Sequence, residues 1–341
     1  MFTFGFWDSP IILAILLFLN GAGQASLWPN CVKSLSDWYD SGNLATIFGL
    51  WGTCMFTGGI IGTALAVRLQ KLFSPDLRWV FVVPSLCVLF TAIIVFLFLK
   101  SPEEVNIKAQ EAENELKSAT VAPMPQQDTQ REVGFFTVWS FQYVPELSFT
   151  MFGMKLVRYF LYMWLPMYLH QALKYPQEWA GYMSTSFEMG GVVGSACLGY
   201  FIDVALGGST HLGVFWALLG SACSLVAFQI TSTWGSTFNF VSLFMAGAFI
   251  SGPDSLVSGA LASEVGEKEN AQSAVSGVIN GFGGVGTIAE GPIVAFVVTR
   301  FGWEGSFDAM IVLTLLSVIA IGKAAIIHNR QSKHYQVKTP I

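Results

Sequence analysis

The stretch LSFTMFGMKLVRYFLYMWLPMYLHQA, Leu147 to Ala172, is long and apolar enough to cross a bilayer, yet it carries Lys155 and Arg158 near its middle. Three residues apart, the two cations share one face of a helix. Burying a cation at membrane depth costs several kcal/mol, about 2.5–3.5 on insertion scales, so such residues normally face a water-filled cavity or a bound anion. The expectation is an all-α membrane protein that carries something negative.

Working outward, the whole chain has the composition this stretch implies. It is 53% hydrophobic, 14% aromatic and only 11% charged, with a mean hydropathy of +0.57. Soluble domains are roughly 25% charged, which excludes that class. The net charge of -5 arises mainly in loops and tails, and no basic patch with interleaved aromatics suggests nucleic acid. Cys31, Cys54, Cys87, Cys197 and Cys223 fall in or beside apolar segments without CxxC pairs or histidine neighbours. They read as small apolar packing residues; no metal site, disulfide or cofactor is expected. Met1 to Ser9 lacks the basic start of a secretory leader, so the first span is expected to direct insertion.

Nine stretches qualify as spans: Pro10–Leu35, Asn43–Val67, Trp79–Leu99, Leu147–Ala172, Trp179–Ala205, Leu212–Ile230, Thr237–Ala262, Ala271–Val298 and Gly305–Ile327. Each is predicted helical, because an open strand would leave backbone groups unpaired in lipid. Trp38, Trp79, Trp179, Trp234 and Trp303 lie near span ends, where an aromatic belt belongs. The segment Ser101 to Glu132, rich in Glu, Gln, Lys, Ala and Pro, is too polar to bury. The predicted organisation is therefore an incomplete N-terminal half-bundle of three helices (1–100), a linker (101–145), a six-helix C-terminal half-bundle (146–328) and a tail (329–341). With the linker placed in the cytosol, that side holds ten basic residues against five opposite. The positive-inside rule then puts the C-terminus in the cytosol as well.

The two blocks also resemble each other. Phe18-Leu-Asn-Gly21-Ala22 recurs as Phe244-Met-Ala-Gly247-Ala248, and Gly58-Gly59-Ile-Ile-Gly62-Thr63 as Gly283-Gly284-Val-Gly286-Thr287, at spacings of 37 (58 − 21) and 36 (283 − 247) residues. Internal repeats of this kind build many secondary transporters. If spans one to three match spans seven to nine, the full architecture has twelve spans and this chain lacks the first three. Gly281-Phe-Gly283-Gly284-Val-Gly286 fits a dinucleotide fingerprint, but it lies inside a span without a preceding strand. Close helix packing explains it, as it does Gly190-Gly191-Gly194.

Asn20-Gly-Ala-Gly-Gln-Ala-Ser-Leu-Trp28-Pro29, Asp37-Trp38-Tyr39 and Phe48-Gly-Leu-Trp51 with Gly58-Gly59 resemble the fourth and fifth helices of the organophosphate:phosphate antiporters, within the major facilitator superfamily. Ser101-Pro102-Glu103-Glu104, Lys155-Leu-Val-Arg158-Tyr159 with Trp164-Leu-Pro166, and Gly252-Pro253 are similar to its eukaryotic sugar-phosphate exchanger branch. The resemblance implies a major facilitator helical bundle that exchanges a sugar phosphate or glycerol phosphate for inorganic phosphate by alternating access. It further implies that Arg158 is the second half's phosphate clamp, followed by Tyr159, and that the location is the endoplasmic reticulum or another endomembrane. The chemistry agrees: a guanidinium fork binds phosphate oxygens bidentately and stays charged when desolvated. Where bacterial members carry a histidine in the fifth helix, the stretch after Trp51 reads Gly-Thr-Cys-Met-Phe.

The candidate substrate-binding residues are Arg158, Lys155 and Tyr159. Lys155 alternatively pairs with Glu188, the lone carboxylate of the next span, in a structural role. Glu188, Asp254 and Glu290 are intramembrane carboxylates, read as charge partners of the cations or as proton carriers. His170 ends its span as an interfacial residue, and Gly199-Tyr-Phe-Ile-Asp203 resembles a fragment of the superfamily's loop motif with a conformational role. Expected partners are a phosphorylated small molecule, inorganic phosphate and the bilayer, with the oligomeric state open. A non-transporting fragment or isoform of such an antiporter is the alternative. An enzyme is not expected, since no Ser/His/Asp or Cys/His constellation converges at cavity depth.

Overall fold

The computed structural model describes residues 2–39, 43–73, 76, 78–99 and 133–338; most of the expected linker lies outside them. The first block holds α1 (Pro10–Gln24), α2 (Leu27–Trp38), α3 (Leu44–Phe73) and α4 (Trp79–Phe98). A short α5 (Phe135–Trp139) leads into the second block: α6 (Val144–Gln171), α7 (Gln177–Ala205), α8 (Thr210–Thr231), α9 (Ser236–Ser255), α10 (Ala262–Lys268) and α11 (Gln272–Lys338). Helices dominate for the reason lipid imposes: each satisfies its own backbone hydrogen bonds. The last helix continues to Lys338, well into the expected tail.

Among the described residues seven helices are long and apolar enough to cross a membrane, which makes this an integral multi-pass membrane protein. The last of them, Gln272–Arg330, breaks at Gly302 (φ 70°, ψ -173°), a left-handed backbone that glycine adopts without steric cost. The contacts on either side of the break run in opposite directions. Before it, Phe282 stands edge-on to Phe149 and Gly286 lies against the Phe152 backbone. After it, Phe307 packs on Phe160 and Lys323 pairs with Glu146 at 2.7 Å. α11 is thus a hairpin of two limbs, one along α6 and one against it. Counting both limbs gives three such crossings before residue 100 and five after residue 133 among the described residues; α6, which covers the expected Leu147–Ala172 span, is long enough but falls short of the others in mean hydropathy because of Lys155 and Arg158.

The polar α6 is the centre of the second block. Leu147, Met151, Met154, Leu156, Phe160, Leu161, Leu165 and Leu169 are among the largest fully buried side chains of the molecule, and all lie on it. By contrast α1 buries nothing, and Phe18, Phe96 and Ile288 point outward, as apolar side chains do where lipid is the solvent. Helices α7 and α9 approach backbone to backbone: a Cβ on Gly190 or Gly194 would strike the carbonyl of Phe244 or Ala248. All five cysteines are free, and Cys54, Cys87, Cys197 and Cys223 are exposed rather than packed inside.

α9 ends irregularly at the sequence Gly252-Pro253-Asp254. Pro253 interrupts the hydrogen-bond ladder, and a π-helical turn, Leu256–Leu261, follows at once. Such turns leave backbone carbonyls to other donors and often mark functional sites. Here the Ser276 hydroxyl donates to the Ser258 carbonyl at 2.7 Å, and the Trp28 indole of α2 donates to the Ser258 hydroxyl at 3.0 Å.

The blocks meet along α3 and α7, which run in opposite directions. At one end Gly49 faces Ser195 and Gly199 faces Ala45 so closely that no Cβ fits. The Ser195 hydroxyl donates to the Gly49 carbonyl at 2.8 Å. Asp203 closes this end by accepting from the Thr46 backbone N–H at 2.7 Å and from its hydroxyl at 2.5 Å. A carboxylate at the start of α3 meets unpaired amides and the positive end of the helix dipole. Toward the other end the helices part: nothing comes within 4 Å of a Cβ built on Gly58 or Gly62.

Candidate functional site

Where α3 and α7 part, a cavity of about 170 Å³ opens between the blocks. Met55, Phe56 and Gly59 of α3 form one wall, Phe187 and Glu188 of α7 another, and Arg158, Tyr159 and Tyr162 of α6 the third. The volume suits several waters or a phosphate group.

Arg158 is the charge at the centre. Its guanidinium lies 4.5 Å above the Phe56 ring, and its Nη1 pairs with Asp254 Oδ2. Both partners are buried, Arg158 at 9% and Asp254 at 3% exposure. Two opposite charges out of water hold each other in place, and removing either leaves the other uncompensated at a cost of about 3–5 kcal/mol. The irregular end of α9 therefore delivers the carboxylate that keeps Arg158 in the membrane.

Lys155 goes elsewhere. Residues three apart on a helix differ by about 60° in direction and about 4.5 Å in height, enough to reach different neighbours. Its ammonium donates to Asn280 Oδ1 of α11 at 2.6 Å, and its chain packs on Gly283. The pairing with Glu188 does not form. Glu188 instead lies across the cavity, 3.2 Å from where a Cβ on Gly59 would sit.

The remaining expected residues separate in the same way. Tyr159 lines the cavity with Tyr162, their rings 6.3 Å apart. Glu290 is 2% exposed and its Oε1 has no hydrogen-bond partner; it pairs with neither cation. His170 is exposed at the end of α6, its Nδ1 2.8 Å from the Tyr175 carbonyl. The glycine run from Gly281 to Gly286 lies within α11, with Gly286 against the Phe152 backbone. That is a packing surface with none of the strand–turn–helix context a dinucleotide needs.

Phe56, Tyr162 and Phe187 line the cavity without having been singled out by the sequence. Tyr162 was findable, since it lies one turn beyond Arg158 on the same face. Phe56 was not, because its contact depends on how α3 docks against α6. The donors facing the cavity, a guanidinium and two phenols, suit an oxyanion.

A family model described as Major Facilitator Superfamily matches residues 1–288. "Putative glycerol-3-phosphate transporter 3" of Arabidopsis thaliana is 33% identical, over 93% of this chain and 66% of its own length. The glucose-6-phosphate exchanger of Bos taurus is 27% identical, over 93% of this chain and 70% of its own length. Sugar phosphate exchanger 3 of Homo sapiens is 25% identical, over 90% and 66%. The chain spans about two thirds of the length of these curated relatives. It belongs to the Major Facilitator Superfamily, and its relatives match the organophosphate:phosphate antiporter branch that its motifs resemble.

Proposed function

We propose that this chain carries an organophosphate, a sugar phosphate or glycerol phosphate, across an endomembrane in exchange for inorganic phosphate. The observation that carries the reading is Arg158, a buried guanidinium bordering a cavity between the blocks and paired with the Asp254 carboxylate. Phosphate is a better partner for that fork than Asp254 is. It offers two oxygens in bidentate geometry and up to two negative charges, where the carboxylate reaches one nitrogen. Asp254 then acts as a stand-in anion: it keeps Arg158 charged and placed when no substrate is bound, and yields it when phosphate arrives. Phe56 holds the guanidinium from one face, and Tyr159 and Tyr162, which line the same cavity, supply further hydroxyl donors.

Alternating access needs one end of the cavity closed while the other is open. The Asp203–Thr46 contact and the glycine seam supply the closed end here. Rocking the blocks breaks that carboxylate cap and closes the parted ends of α3 and α7. In this reading the linker and the C-terminus face the cytosol.

Exchange in proteoliposomes loaded with inorganic phosphate, with labelled phosphate outside, tests the reading. Uptake by the wild type that falls at least a hundredfold in Arg158→Ala supports it. Equal uptake by both overturns the role of Arg158.

A further inference from the structure

Three helix ends of the second block bring together residues that lie far apart in the chain: His211 in the first turn of α8, Glu264 in α10 and His328 late in α11. The two imidazole rings stack with centroids 4.6 Å apart. His328 Nδ1 lies 3.4 Å from Glu264 Oε1, and one ligand atom from each of the three residues falls within 4.8 Å of the others. His211 is 3% exposed, and its Nε2 has no hydrogen-bond partner. A buried ring nitrogen left unpaired costs free energy that a bound cation would repay.

We propose that His211, Glu264 and His328 form a site for a divalent transition-metal ion of the zinc class. Two imidazoles and a carboxylate are a zinc ligand set, and three protein ligands leave a fourth position for water. Zn–N and Zn–O bonds of about 2.0–2.2 Å place tetrahedral ligands roughly 3.3 Å apart, so ligand atoms now up to 4.8 Å apart close by up to about 1.5 Å around the ion. Tyr143 completes the surroundings. Its ring stands edge-on to both histidines, 5.1 Å and 6.2 Å away. Lys268 competes for the same oxygen, 3.3 Å from Glu264 Oε1, but its side chain is 58% exposed and free to swing into solvent. The ion would tie three helix ends at the same end of the second block as Asp203, since α7 passes to α8 there through a short loop.

Zinc retained by the full chain, purified in detergent and stripped with chelator beforehand, is measured by equilibrium dialysis, with cobalt substitution as the spectroscopic reporter. The expected result is one zinc per chain, affinity lowered at least tenfold in His211→Asn, His328→Gln and Glu264→Gln, and cobalt bands free of thiolate charge transfer. Should His211→Asn not elute as a folded species, the half-exposed His328→Gln carries the test. Three results overturn the proposal: no zinc retained, one zinc retained unchanged in both histidine variants, or a thiolate charge-transfer band placing the ion on one of the five free cysteines.

Discussion

The seam between α3 and α7 does two different things along one pair of helices. At its Asp203 end the backbones touch through Gly49 and Gly199, a serine hydroxyl crosses between them, and a carboxylate caps α3. At its Gly59 end the same helices separate and line a cavity with Phe56, Phe187 and Glu188. Small residues occur at both ends, so residue size alone does not distinguish them. What differs is what a side chain there would meet: backbone at Gly49 and Gly199, only the Glu188 carboxylate at Gly59, and nothing within 4 Å at Gly58 and Gly62. Glycine at the closed end is a packing requirement; glycine at the open end is room for something that comes and goes.

Substitutions that exchange the characters of the two ends test this contrast. Gly199→Leu is expected to have the largest effect, because its side chain would meet the Ala45 and Gly49 backbones, which cannot give way as a flexible side chain can. Overpacking of that kind costs about 1–3 kcal/mol, read as a lower unfolding temperature in detergent together with lost exchange. Asp203→Asn keeps the shape and weakens the charge at the α3 terminus. The expected loss is about 1 kcal/mol, with exchange altered more than the affinity for phosphate. Glu188→Gln removes a negative charge from the cavity wall, and the expectation is tighter binding of inorganic phosphate, by about fivefold on the scale of a partly screened charge pair. Gly62→Ala stands at the foot of the series. With nothing within 4 Å of the new methyl, it should leave stability unchanged or raise it by up to about 1 kcal/mol through better helix propensity.

The sequence carried the architecture because bilayer thickness converts directly into stretches of about 20 apolar residues. The turn at Gly302 fell between two such stretches and was legible on that ground. Arg158 and Lys155 stood out because an intramembrane cation is costly enough to demand a reason, whereas Tyr159 stood out only through the family resemblance. The identity of Arg158's counter-ion was not. Glu188, Asp254 and Glu290 lie on three different helices, and which of them meets the guanidinium depends on helix rotation and depth. Those are fixed by contacts such as Gly190 on Phe244 and by the break at Pro253. The same reasoning separates Lys155 from Arg158: three residues of helix turn one toward Asn280 and the other toward Asp254. The His211–Glu264–His328 cluster was invisible for a plainer reason, since no local spacing links residues brought together only when helix ends converge.

In the function proposed above, Asp254 holds Arg158 in the place where phosphate binds. Equilibrium binding of inorganic phosphate to the purified chain, compared with Asp254→Asn and Arg158→Lys, tests it directly. With the carboxylate's charge removed, phosphate no longer competes for the guanidinium, so Asp254→Asn should bind about tenfold more tightly even as the fold loses stability. Arg158→Lys, lacking the fork, should bind at least tenfold more weakly. Phosphate affinity that is unchanged in both variants would contradict the account and remove Arg158 from the site.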